Sequence, residues 1–287
     1  MPNSAAQAPK PKRKKSATYH DAAFDAFRYR LNEYVKNGYV TLEGEHRLST
    51  HPLKIDIIVI KKNRDVEIDT PWGKIFRDCN IVEYKSPVSP PLTLSVFTKV
   101  VYGYAGVYSS QNDIKLTDMS ATIMYPKKPT DLFETLKNEF NYRVLRKGRG
   151  IYYIVQRGCA PEKSLAVQVV VYSELEDSDL VLKALKPGID GAMARKVLEF
   201  PVDNEESIPL LSHWWDVMWL ENFEILTLEV NMNKRDKAVK FMKDNGLLTE
   251  ILQEERQAGV LERTTQLLEY LKSGHSIEEA EKEFALR

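Results

Sequence analysis

The chain has 287 residues, 43% of them hydrophobic and 29% charged, which are the proportions of an ordinary globular protein. No apolar run approaches the roughly 20 residues that span a bilayer, and no apolar segment of a secretory signal follows the basic N-terminus. Two cysteines, Cys79 and Cys159, build neither a disulfide framework nor a zinc-ligand spacing, so a cytoplasmic location with no membrane partner is expected.

The formal net charge of zero hides an asymmetry. Residues 1–19 hold Lys10, Lys12, Arg13, Lys14 and Lys15 and no acidic residue. Removing those five from 41 leaves 36 basic against 41 acidic residues, a mildly acidic body from His20 onward. That balance excludes a protein that coats DNA through overall charge, but not a carboxylate-rich enzyme that meets nucleic acid locally. The segment 1–18 is small, polar and Pro/Lys-rich and cannot order itself by burial. It reads as a disordered basic tail: a DNA-binding arm through its five cations, or a solubilising extension.

From "DAAFDAFRYRLNEYV", positions 24, 27, 31, 34 and 35 recur at helical spacing until Asn37-Gly38. Three strands are predicted next, in "YVTLEGEHRL", "LKIDIIVIKK" and "CNIVEYKS", with "DTPWGK" as a loop before the third. "LTLSVFTKVVYGYAGVY" returns to helical spacing, with Leu94, Phe97, Val101, Tyr104 and Tyr108 on one face. "SATIMYP" is a fourth strand, "TDLFETLKNEF" a helix capped by Thr130, and "GIYYIVQ" and "LAVQVVVYSEL" a closing pair of strands. The order implies an α/β fold, a layered α/β/α core around one mixed sheet. The pattern turns helical after about residue 176, with Trp214, Trp215 and Trp219 as a packing cluster. The expected divisions are a tail to 18, a core over 19–175, a helical extension over 176–246 and a helical pair over 247–287. The leucine-rich last pair is expected to promote homo-oligomers or to fold back on the core.

Chemistry is concentrated in two strands. In "IVEYKSP", Glu83 and Lys85 share a strand face while Tyr84 points away. One reading is a surface ion pair worth under about 1 kcal/mol. The other adds Asp56, a carboxylate set among β-branched residues in "IDIIVI", which is costly to bury unless it is paired or coordinated. If the two strands pair, Asp56, Glu83 and Lys85 converge. Two carboxylates and the Tyr84 carbonyl make a hard-oxygen site suited to Mg²⁺, with Mn²⁺ able to substitute. Lys85 would orient a water or offset negative charge. The five histidines show no ligand spacing, and neither a nucleophilic triad nor a Gly-rich phosphate loop is present.

Taken in order, "PLKIDIIVIKK", "GKIFRDCNIVEYKSP", "FTKVVYGYAGVY" and "GIYYI" resemble the bacterial PD-(D/E)XK nucleases described as transposase-associated or recombination-promoting. The likeness runs from about His20 to Leu175. It implies a restriction-endonuclease-like core and Mg²⁺-dependent hydrolysis of DNA by an endonuclease. Asp56 would be the metal-binding aspartate, and Glu83 and Lys85 the E-x-K pair. Lys99 and Tyr102 fall on the following helix, where related proteins place supporting residues. Such folds often add a first-helix glutamate. The natural slot here holds Arg30, with Glu33 one turn along and Glu45 as the other candidate. The rival implication is a catalytically degenerate nuclease fold that binds DNA or protein.

Overall fold

The computed structural model describes residues 18–44, 57–203 and 210–233. The basic tail, Glu45, Asp56 and the C-terminal helical pair lie outside the described residues. By contacts the chain divides into Met1–Glu229 and Val230–Arg287, and the sheet with the helices packed on it belongs to the first unit.

Helix α1 (Tyr19–Arg30) starts at a capping box, in which the Thr18 hydroxyl accepts from the Asp21 amide and the Asp21 carboxylate accepts from the Thr18 amide. Its continuation α2 (Asn32–Lys36) stops before Gly38, whose φ of +67° suits glycine. The buried stripe of α1 is Ala22, Ala23, Ala26 and Phe27, not the larger apolar positions alone. Alanines let the helix approach its neighbours closely, and Asp25 is drawn in with them.

The sheet has seven strands in the order β1-β2-β3-β4-β7-β6-β5. They are β1 (Val40–Glu43), β2 (Ile57–Lys62), β3 (Cys79–Tyr84), β4 (Met119–Tyr125), β5 (Tyr142–Gly148), β6 (Ile151–Gln156) and β7 (Ala166–Val171). The central strands β3, β4 and β7 run parallel, and the outer pairings are antiparallel. The expected α/β class with a mixed sheet is therefore present. Strand β5 departs from the sequence reading, which predicted none there. "YRVLRKG" is an edge strand rich in cations, a composition that resists pairing with other chains and that also masks its strand character.

Between β3 and β4, α3 (Leu94–Thr98) passes through a π-helical segment, Lys99–Tyr104, into α4 (Ala105–Asn112). The wide turn brings adjacent residues inward: Val100 with Val101, and Tyr104 with Ala105. They join Phe97 and Tyr108, as the spacing predicted, and pack with Leu132, Phe133 and Leu136 of α5 (Thr130–Asn138) on one sheet face. Thr130 is the first residue of α5, not its cap; Pro129 precedes it and no side chain caps the helix. Burial pushes the Cys79 thiol, on the same face, up to about 11.

The opposite face meets α1, through the His20–Tyr84 ring contact, and the segment around α6 (Leu180–Lys183), through the Tyr84 hydroxyl on the Leu185 carbonyl. It carries buried polar residues that hydrogen-bond in pairs. Ser120 donates to Asn80 at 2.6 Å, and Gln168 donates to Thr122 at 2.9 Å and to the Trp72 carbonyl at 2.6 Å. After α7 (Gly191–Asp203), helix α8 (Ser212–Asn233) begins on Asp25, whose carboxylate accepts from the His213 amide at 2.8 Å and the Trp214 amide at 3.3 Å. Burial raises the pKa of this carboxyl, although His213 and the two amides act in the other sense. Trp214, Trp215 and Trp219 are buried, and the first two meet edge to face at 5.0 Å. They form the expected packing cluster. Helix α8 kinks at Asn222, whose amide holds the 186–189 loop through Ile189 N–H and the Lys186 carbonyl.

This packing makes two measurable demands. Asp179 is fully buried against Arg30 at 2.9 Å and also accepts from the Trp72 indole at 3.0 Å. Asp179→Ala should lower unfolding free energy by about 3–5 kcal/mol, because a largely buried guanidinium loses its counter-charge. Urea denaturation would show it as a lower midpoint at unchanged slope. Iodoacetamide at mildly alkaline pH should label Cys79 only after denaturation, as read by mass spectrometry of the alkylated peptide.

Candidate active site

Strand β3 is buried along its whole length because β2 and β4 flank it and helices cover both faces. Its alternation places Cys79, Ile81 and Glu83 on the face under α3–α5, and Asn80, Val82 and Tyr84 on the other. Register aligns Glu83 with Ile57 on β2 and Ile123 on β4. A carboxylate thus stands in an apolar row, with its side chain 6% exposed. The Lys85 ammonium lies 2.5 Å from Glu83 Oε1, and Lys85 keeps 26% of its side chain exposed. The pair is not a surface ion pair. It is a buried acid with a partly solvated base at the carboxyl end of a central strand.

The main chain around Lys85 is fixed from two sides. Its amide donates to the Met124 carbonyl at 2.9 Å, and its carbonyl accepts from the Tyr172 hydroxyl at 3.3 Å. Tyr84 stacks on Tyr172 at 5.3 Å, reaches the Leu185 carbonyl with its hydroxyl and meets the His20 ring edge-on. Burial raises the pKa of the Tyr84 and Tyr172 phenols, so both remain neutral donors. Sequence reading missed Tyr172, because "VVVYSEL" looks like a simple strand end. The only signal was a tyrosine directly after a fully apolar run.

The remaining residues singled out in the sequence have different surroundings. Asp56 directly precedes Ile57, the residue paired with Glu83, but like Glu45 and the five basic residues of the tail it lies outside the described residues. Glu33 is 78% exposed and sits 3.6 Å from Lys36 on its own helix. Arg30 is committed to Asp179. Lys99 is exposed with its ammonium 5.5 Å from the centre of the Tyr104 ring. Tyr102, 52% exposed, hydrogen-bonds Tyr142 on β5. Lys99 and Tyr102 therefore make their contacts with these aromatic partners.

The donors that the described residues offer a divalent cation are the Glu83 carboxylate and main-chain carbonyls. These are hard oxygens suited to Mg²⁺, but they supply only part of its coordination shell. No group of three His, Cys, Asp or Glu side chains that could hold a metal occurs among the described residues. Asp56 is the residue that would extend the set.

Lys85→Met leaves the Glu83 carboxylate buried without the ammonium. It should cost about 3 kcal/mol, well above a surface pair, and adding Glu83→Leu should recover all of that loss or more. A double-mutant cycle by chemical denaturation measures the coupling.

Among the described residues no helix is long and apolar enough to cross a membrane. No family model, curated protein or solved structure matches the chain.

Proposed function

We propose that the chain is a Mg²⁺-dependent endodeoxyribonuclease with a restriction-endonuclease-like α/β/α core, acting in the cytoplasm on DNA phosphodiester bonds. The observation that carries this reading is the Glu83–Lys85 pair at the carboxyl end of β3. A buried carboxylate and an accessible ammonium meet there at the end of a parallel strand, where open α/β sheets place ligands. The motif resemblance over residues 20–175 and the antiparallel β2–β3 pairing next to Asp56 support it.

Glu83, Asp56 and the Tyr84 carbonyl would hold the cation. When bound, it would supply Lewis-acid stabilisation of the phosphodiester and acidify a water. Lys85, fixed at its amide and carbonyl, places its ammonium at the mouth of the site. There it orients the attacking water and offsets negative charge developing on phosphate oxygens. Burial of Glu83 keeps competing water from the carboxylate.

The test is nicking of supercoiled plasmid with Mg²⁺, repeated with EDTA. Asp56→Ala and Glu83→Ala should abolish nicking and weaken metal binding. Lys85→Ala should abolish nicking with metal binding retained, each variant first shown folded by circular dichroism. Combined changes should cost little more than single ones, since members of one catalytic unit are not additive. Nicking that persists through repurification of the Asp56→Ala and Lys85→Ala variants would sink the assignment.

A second reading is favoured by one observation: the first-helix slot goes to Arg30, locked on Asp179, while Glu33 faces solvent. On that reading the same fold binds DNA or protein without cleaving it, and wild-type protein would bind DNA but leave plasmid intact.

A further inference from the structure

The register of the sheet joins Glu83 to a second feature. One row on the face under α3–α5 runs Glu83 (β3), Ile123 (β4), Val169 (β7), Tyr152 (β6) and Arg146 (β5). At about 4.8 Å per strand, the four steps from Glu83 to Arg146 span roughly 19 Å. At the far end of this row lies a pocket of about 400 Å³ lined by Lys128, Arg146, Arg149, Tyr152, Ser173 and Glu174. Its walls come from the loop after β4, the strand β5 with its turn into β6, and the segment after β7. The carboxyl ends of β4 and β7 thus bound the pocket, as that of β3 bounds Glu83 and Lys85.

Charge in the pocket is poorly compensated. Lys128 lies 5.7 Å from the centre of the Tyr152 ring, and among the described residues Arg146 makes a long bond of 3.4 Å to the Gly148 carbonyl. Neither forms an ion pair among the described residues. Arg149 meets Glu176 at 3.4 Å with both side chains 56% exposed, a contact that an incoming anion can displace at little cost. Glu174 is the one carboxylate among the described lining residues, and it accepts from the Tyr152 hydroxyl at 3.2 Å. The Ser173 hydroxyl donates to the Pro126 carbonyl at 2.6 Å and ties two walls together. Gly150 shapes the third. Its φ is +71°, and a Cβ there would sit 2.5 Å from the Val171 carbonyl oxygen, so the turn that presents Arg149 is held tightly against β7. Cations on an edge strand also deter aggregation, but that role does not require Lys128 and Arg149 to converge on Arg146 from separate segments.

We propose that this pocket binds a backbone phosphate of a nucleic acid whose scissile bond lies at Glu83 and Lys85. The inference rests on the nuclease reading for its polymer and on the pocket for its phosphate. A duplex advances about 3.4 Å along its axis per base pair, so roughly 19 Å corresponds to about six base pairs. The pocket therefore sets how far from the cut the duplex must extend to be held.

The test uses the full chain with EDTA present, so that cleavage plays no part. Inorganic phosphate is titrated by phosphorus NMR, and a labelled duplex by fluorescence anisotropy across a range of salt. Arg146→Gln, and separately Lys128→Gln, should weaken phosphate binding. Each should flatten the log–log salt slope for duplex by about 0.9 and reduce affinity about eightfold near 0.1 M salt. Arg157→Gln, an exposed cation elsewhere, should change neither. Phosphate binding that is absent from wild type, or indifferent to both variants, overturns the site. Phosphate binding that weakens while duplex affinity holds overturns the nucleic-acid occupant and leaves a free-anion site. Duplex binding that falls as expected in a protein that never nicks plasmid upholds the pocket and rejects the nuclease reading.

Discussion

The carboxylate of Glu83 stands between Ile57 and Ile123 in the row that β2, β3 and β4 share, and the ammonium of Lys85 makes that placement tolerable. Taking a carboxylate out of water costs several kcal/mol, and a partner at 2.5 Å recovers much of it. Apolar residues at both positions would fill the same space at equal or better stability. Stability alone therefore gives no reason for an acid and a base at this point in the sheet. The geometry around them is nevertheless closely specified. Tyr172 and Met124 hold the Lys85 backbone, while the Tyr84–Tyr172 stack anchors the opposite face of the same strand end. The strand end is held from several sides where its burial is most costly, and it opens to solvent two residues later, at Lys85.

Polar burial on the other face follows a different rule. Ser120 bonds Asn80 and Gln168 bonds Thr122, and the two amides also donate to neighbouring backbone, so the partners there are neutral. Arg30 and Asp179 add a charged contact that ties α1 to the segment after β7. Their pairing shows how a residue in the position expected of a metal ligand can serve the framework instead. Of the carboxylates singled out in the sequence, the one that the described residues bury is Glu83 on β3, whereas Glu33 on α2 faces solvent.

The residues that sequence alone placed well are those whose environment is set locally. The alternation in "CNIVEYKS" gives β3, and the spacing of Phe97, Val101, Tyr104 and Tyr108 gives the buried face of a long helix even through its π-helical turn. What stayed hidden depends on partners far along the chain. Asp25 looks like a polar interruption of a helix until it receives the amides of a helix 188 residues later. Strand β5 carries too many cations to read as a strand, because an edge strand is under no pressure to look apolar on both faces. Glu83 and Lys85 are legible as a pair, but the burial of Glu83 is not. An E-x-K triplet has the same local appearance on a solvated edge as in the centre of a sheet.

Net charge is a poor guide to such a molecule. The body beyond the basic tail has a small acidic surplus, yet the Glu83 end of the row on the face under α3–α5 offers a carboxylate and an ammonium, and its far end offers three cations. A polyanion responds to the field within about 8 Å at physiological salt, not to the total. The parallel strands β3, β4 and β7 bring their carboxyl ends to one edge, and the antiparallel β5–β6 hairpin returns its basic turn to that same edge through the β6–β7 pairing. Strand direction thus sorts the charge. Reversing any of the three central strands would move its loop to the opposite edge and take Lys85, Lys128 or Ser173 with it, so the alignment of these groups is a property of the topology before it is a property of any side chain.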